Sequence, residues 1–260
     1  MIPKIIHYTW FSNDPMPDKV LRCMASWQQI MPDYELKKWD MEAIKHIDVP
    51  FLKEALAAKK WAYAADFVRM YAVFYEGGIY LDTDVQVYKS FDRFLNDKCF
   101  IGRESSIHFF NEGPMLTLSS HCFGAEKGHP FMKKCLDYYL QRHFVTSDDQ
   151  SLPESLRYNI VLAPYIQAEI AAELFGYDWT PSRQDTQHLK DGLVIYPSNI
   201  FDPFQGHSVN RSMSYCLHLA MGGWRDKRHQ LKPLNLFNRI VFRLAGVLLK
   251  RLHCVVLRYN

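Results

Sequence analysis

WAYAADFVRMYAVFYEGGIYLDTDVQVY, residues 61–88, decides how the rest of the chain is read. From Trp61 to Tyr75 the spacing predicts a helix. Ala64, Phe67, Val68, Tyr71, Phe74 and Tyr75 recur every three or four residues, so one apolar face can pack on a core. Asp66 and Arg69 stand three apart and share a helix face. Gly77 and Gly78 then stop the helix, because glycine enters the left-handed region that other residues avoid. Ile79 to Val87 is β-branched and aromatic, the composition of a strand. If it is one continuous strand, Tyr80, Asp82 and Asp84 point to one face, and Ile79, Leu81, Thr83 and Val85 to the other.

Two carboxylates side by side repel each other, so a fold that keeps them together offers something positive. Carboxylate and water oxygens suit a hard divalent cation such as Mg²⁺ or Mn²⁺. A bare Asp-x-Asp is more often the solvated end of a surface strand. The preceding helix with Asp66 and Arg69, the two glycines and the apolar strand make a longer pattern. That pattern, Ala65-Asp66, Arg69, Val73, Gly77-Gly78, Tyr80, Asp82 and Asp84, resembles the signature of DXD-motif sugar transferases, glycosyltransferase family 32 and its relatives.

The resemblance implies a fold and a site. The fold is α/β, a GT-A-type nucleotide-diphospho-sugar transferase with a single Rossmann-like domain over residues 1–232, followed by a C-terminal amphipathic helix over 233–260. The activity is a metal-dependent transfer of a sugar from a UDP- or GDP-sugar to a glycan or lipid-linked acceptor, with retention at the anomeric carbon. Such an acceptor suits surface polysaccharide synthesis in a bacterium. Asp66, Arg69, Asp82 and Asp84 carry the catalytic roles, with Asp66 and Arg69 gripping donor hydroxyls. Trp10, Tyr80 and Trp224 join Asp66, Arg69 and Asp82 in donor binding. Asp82, Asp84 and His218 would hold Mn²⁺ or Mg²⁺.

The stretch YCLHLAMGGW, residues 215–224, carries the second part of the resemblance. A late strand with a histidine leads into a Gly-Ser-Trp loop in such enzymes; here it reads His218, Gly222, Gly223 and Trp224. Glycine at 223 removes one hydroxyl and leaves backbone N–H groups that can approach phosphate. Taken alone, His218 is better explained as a packed core histidine; the Gly222-Gly223-Trp224 that follows turns the reading toward a ligand. Trp10 stands at the end of the opening strand, IPKIIHYTW, and either stacks on a nucleotide base or fills the core. His7 and His129 read as structural histidines.

The rest of the chain sets the frame. Its 260 residues make about one large domain, and 48% hydrophobic residues with 15% aromatics supply a core. A net charge of +3 is too mild to argue for nucleic acid. Six cysteines, Cys23, Cys99, Cys122, Cys135, Cys216 and Cys254, are scattered without a Cys-x-x-Cys pair, which argues against a zinc site and a disulfide framework. With no signal peptide and no run of about 18 apolar residues, the expected location is cytoplasmic, peripheral on the cytosolic face of the membrane.

In order, the pattern predicts a helix over Asp18–Ile30, a strand from Tyr34 to Trp39, Asp40 as the cap of a short helix, and a helix over Phe51–Lys60. After the motif come a short helix at Phe91–Asn96, a strand at Cys99–Gly102, a loop from Arg103 to Thr117 and a strand at Cys122–Ala125. Helices at Met132–Arg142 and Ile160–Phe175 and a strand at Gly192–Tyr196 complete it. The alternation argues for a sheet of parallel strands. Asp148 and Asp149 lie in a polar loop, as solvated acids or as acceptor-side acids. The tail from Leu234 to Asn260 has an apolar stripe, five basic positions at Arg239, Arg243, Lys250, Arg251 and Arg258, and no acid, a pattern that fits a helix lying on an anionic membrane surface or one packed on the domain. Two further readings are a catalytically inactive sugar- or membrane-binding protein and a phosphatase that uses Asp-x-Asp covalently.

Overall fold

The computed structural model describes residues 1–110, 113–183, 185–203 and 212–221. Trp224, Gly222, Gly223 and the tail over 233–260, with the boundary before it, lie outside the described residues.

The chain opens with β1 (Ile5–Thr9), α1 (Asp18–Ile30) and β2 (Glu35–Trp39), then α2 (Pro50–Ala57) and α3 (Trp61–Glu76). β3 (Gly78–Leu81) and β4 (Val85–Val87) follow the glycines. A long hairpin comes next, β5 (Cys99–Phe110) and β6 (Gly113–Ala125). The remainder is α4 (Pro130–Leu140), α5 (Glu154–Arg157), α6 (Ala163–Phe175), β7 (Gln187–His188), β8 (Leu193–Tyr196), α7 (Ser198–Phe201) and β9 (Cys216–His218).

Among the described residues, seven strands form one sheet in the order β2-β1-β3-β6-β5-β8-β7, and β4 with β9 makes a separate two-stranded piece. The α/β reading holds, but the sheet is mixed. β2, β1 and β3 are parallel, as the βαβ alternation requires; β6 runs antiparallel to both β3 and β5. The antiparallel part arises because residues 103–110 and 113–117, within a stretch expected as a loop from Arg103 to Thr117, belong to β5 and β6, with register shifts between Ile101 and Arg103 and between Arg103 and Ile107. Its polar sequence hides the strands, since hairpin pairing does not require an apolar run on either face.

Two apolar layers cover the sheet. Alternation along β3 sends Tyr80 into the layer of α2, α3, α4 and α6, with Phe67, Phe131 and Tyr139. Ile79 and Leu81 enter the opposite layer, with Trp27 of α1, Phe94, Phe100 and Phe201. Among the described residues no helix is long and apolar enough to cross a membrane. The five described cysteines are free and buried.

The junction of α3 and β3 needs its glycines. Gly77 and Gly78 have φ of 72° and 106°. A Cβ on Gly78 would meet the Ile5 carbonyl oxygen at 2.8 Å and His7 Nε2 at 3.0 Å. His7 is fully buried and braces this corner: its Nε2–H donates to the Gly77 carbonyl at 2.7 Å, and Nδ1 accepts from the Trp39 indole at 3.0 Å. Burial pushes its pKa down, so the ring is a neutral brace, as expected of a core histidine. His129 is structural too: it caps α4 by accepting from Phe131 N–H.

Candidate active site

The continuous strand expected through Val87 is broken. β3 ends at Leu81, Asp82 to Asp84 form a turn, and β4 leaves the main sheet. The Val85 N–H donates back to the Asp82 carbonyl at 3.0 Å and closes the turn. Asp82 and Asp84 are therefore brought together by a turn, not by strand alternation. α1 secures the far side: the Trp27 indole donates to the Val85 carbonyl at 2.7 Å, and Val87 N–H donates to Ser26 Oγ at 2.9 Å.

β9 pairs with β4 so that His218 stands opposite Val85. This pairing brings a histidine from late in the chain to the acid turn. His218 Nε2 lies 3.2 Å from Asp84 Oδ1. One ligand atom from each of Asp82, Asp84 and His218 falls within 4.8 Å of the others. Asp84 is further held through Oδ2, which accepts the Met221 N–H at 2.9 Å, while its own carbonyl accepts from Leu219 N–H at 3.0 Å. Burial alone would raise the Asp84 carboxyl. The His218 hydrogen bond and charge, with the Met221 N–H, outweigh it and hold the group down at about 2. His218 answers in the other direction: burial lowers its pKa, and Asp84 and Asp82 raise it more.

Asp66 and Arg69 meet this site from α3. One guanidinium nitrogen, Arg69 Nη2, serves both acids, at 3.1 Å from Asp66 Oδ1 and 3.2 Å from Asp82 Oδ1. Nη1 donates to the Ser120 carbonyl at 2.8 Å, and the guanidinium lies 4.7 Å from the Tyr80 ring centre. The Tyr80 hydroxyl donates to Asp82 Oδ1 at 2.9 Å and lies 3.2 Å from Thr9 Oγ1. Tyr80 is thus fully buried and acts as a support for Asp82 beneath the site. Burial raises the Asp66 carboxyl to about 7; Arg69 opposes that rise and Asp82 adds to it. Arg69 is held fully charged: burial disfavours its charge, but Asp82, Tyr80 and Asp66 favour it more.

Trp10 is half-buried just past the end of β1, where its indole donates to the Asp14 carbonyl at 3.1 Å. Asp149 is exposed and accepts from Ser151 of its own loop, and Asp148 is not part of the acid cluster.

His121 on β6 carries no motif and is not legible in the sequence. It is 3% exposed, and its ring stacks on His218 with centroids 4.4 Å apart and planes at 21°. Its Nε2–H donates to the Phe201 carbonyl at 3.2 Å, and its own carbonyl accepts the Asp82 N–H at 3.0 Å. One residue therefore supports a ring and a backbone amide of the candidate cation site. The Ser120 carbonyl, Thr9 and the Met221 N–H are the other contributors without a sequence signal.

The structure thus brings two carboxylates and an imidazole together at the end of an α/β sheet, with a buried arginine beside them, a donor set that could hold a divalent cation. Residues 17–101 match the family described as "Glycosyltransferase sugar-binding region containing DXD motif". It is 33% identical over 135 residues to inositol phosphoceramide mannosyltransferase 3 of Schizosaccharomyces pombe, a match that covers 50% of this chain and 35% of that protein. It is 26% identical over 141 residues to mannosyl phosphorylinositol ceramide synthase CSH1 of Saccharomyces cerevisiae, covering 52% of this chain and 35% of that one. The matches thus span about a third of the curated relatives' length. Among solved structures, the PaToxG glycosyltransferase aligns with a TM-score of 0.45 and 19% identity, covering 66% of this chain and 69% of that one.

Proposed function

We propose that this chain transfers a hexose from a nucleoside-diphosphate sugar to a hydroxyl of a glycan or lipid-linked acceptor, with the aid of a divalent cation. The observation that carries this reading is the convergence of Asp82, Asp84 and His218 within 4.8 Å, next to the Asp66–Arg69 pair. Two carboxylates and a neutral imidazole suit Mn²⁺, and Mg²⁺ fits if water and phosphate oxygens complete its shell. A bound cation would supply positive charge that stabilises the departing nucleoside diphosphate.

The chain's own residues have distinct tasks in this reading. Asp84, fixed by Met221 N–H, presents an ionised carboxylate at neutral pH. Asp82 keeps one oxygen on Arg69 and Tyr80, which leaves the other for the ligand. Asp66 and Arg69 grip donor hydroxyls, and Arg69 keeps Asp82 from turning away. Trp10 lines the base side of the donor. Retention of the anomeric configuration is part of the proposal, as is an α-linked product. The names of the two yeast relatives make mannose the first sugar to try, with a lipid-borne polyol as acceptor.

The test is release of nucleoside diphosphate from a panel of UDP- and GDP-sugars, GDP-mannose included, with Mn²⁺ and with wild type beside Asp84→Asn. Turnover of one donor that collapses in the variant is the expected result, and proton NMR of the product then reads the anomer. Turnover undiminished in Asp84→Asn would sink the cation-site reading.

A further inference from the structure

Next to Asp84 the surface opens into a cavity of about 410 Å³, lined by Lys19, Arg22 and Cys23 of α1, Gln86 of β4, Leu219 and Met221. It shares a wall with the candidate cation site, because Met221 lines the cavity and its N–H holds Asp84 Oδ2 at 2.9 Å. Lys19 and Arg22 stand three apart on α1, so their side chains leave the same helix face. Both are exposed, and neither forms an ion pair with a described residue. None of the cavity's described lining residues is a carboxylate. Burial pushes the Cys23 thiol up to about 11, so it stays neutral and adds no negative charge. Two cations thus face an open space with no acid among its lining residues, beside a site for a third positive charge.

We infer that Lys19 and Arg22 form an anion subsite that takes a phosphate group of a substrate. The phosphate comes either from the diphosphate of the donor or from a phosphodiester on the acceptor. The chemistry is the same in both cases: a lysine ammonium supplies a point charge, and an arginine fork supplies paired N–H donors. The cavity's position explains why these charges are left without acidic partners among the described residues. A carboxylate on this face would satisfy them internally and repel the ligand. The inference rests on the proposed sugar transfer only for the two sources of the phosphate.

The experiment uses the full chain with Mn²⁺ and the double variant Lys19→Gln/Arg22→Gln, with Arg22→Lys as a charge-conserving control. Calorimetry measures binding of UDP and GDP, and, separately, of inositol 1-phosphate as a probe of an acceptor phosphate. Loss of both charges should weaken one probe roughly three- to thirtyfold, a loss that shrinks at high salt. Weaker nucleotide binding assigns the donor diphosphate; weaker inositol phosphate binding with unchanged nucleotide binding assigns the acceptor. Arg22→Lys should keep most of the affinity. Unchanged binding of both probes in a folded double variant overturns the subsite. Asp84→Asn separates the two ideas: the cation-site reading falls if that variant binds Mn²⁺ and nucleotide as wild type does, whatever Lys19 and Arg22 do.

Discussion

Arg69→Met is the substitution that most directly probes the buried centre. Arg69 is 5% exposed and spans two carboxylates at 3.1 and 3.2 Å, a backbone carbonyl at 2.8 Å and the Tyr80 ring. Methionine fills much of the volume but leaves Asp66 and Asp82 facing each other without a cation. Removing one partner of a buried ion pair costs about 3–5 kcal/mol. For a chain of this size, about 2–4 °C of melting temperature is lost per kcal/mol, so Tm should fall by about 6–20 °C. The loss has a pH signature. Arg69 is the group that restrains the Asp66 carboxyl, which already stands near 7, so its removal pushes that group higher. At low pH Asp66 takes up a proton and the site tolerates the loss; at higher pH both acids are charged and the cost is full.

Thermal unfolding of wild type and variant, scanned from about pH 6 to about pH 8.5, reads this. The expected result is a Tm gap that widens as pH rises, and partial recovery in Asp66→Asn/Arg69→Met, where one charge is gone. A gap of under about 3 °C at every pH would refute the placement of Arg69 as the shared buried cation.

Two other outcomes are expected from the same geometry. Asp66→Asn should flatten the pH dependence of stability. The folded Asp66 keeps its proton to about 7, while the unfolded chain releases it near the ordinary 3.8, so this group's contribution is full below 3.8 and lost as pH rises through 7. Wild type should lose up to about 4 kcal/mol from this source across that window, and denaturant titrations of the asparagine variant should lack that slope. His121→Ala should weaken Mn²⁺ binding roughly two- to tenfold by removing the ring stacked on His218, while His121→Phe keeps the stack and recovers most of it. Calorimetric Mn²⁺ titration decides this; equal weakening by Phe and Ala would show that the stack does not position His218.

Much of the fold is legible where periodicity is strong. Asp18–Ile30 is a helix in the sequence pattern and in the structure, and Trp61 to Glu76 departs from expectation by one residue at its end. Those segments carry regular apolar spacing, which local sequence encodes fully. The stretch after Leu81 misleads because β-branched residues run on through Val87, and only the pairing of β4 with β9 shows that the chain has turned away from the sheet. The strand residues at 103–110 and 113–117 escape a sequence reading because their mixed polar and apolar residues carry no regular alternation. Asp40 does cap as expected, accepting from Ala43 N–H at 3.1 Å, but residues 41–46 form a series of turns in place of a short helix.

The sequence alone determined the vocabulary of the candidate site: two acids behind two glycines, with Asp66 and Arg69 one helix turn apart, because these are close in the chain and local geometry relates them. Tertiary structure alone decided which atoms meet. A shared Arg69 nitrogen, a histidine ring under His218 and a basic cavity beside Asp84 join elements that are distant in sequence. Their distances depend on sheet order and strand pairing, which no short stretch of residues specifies.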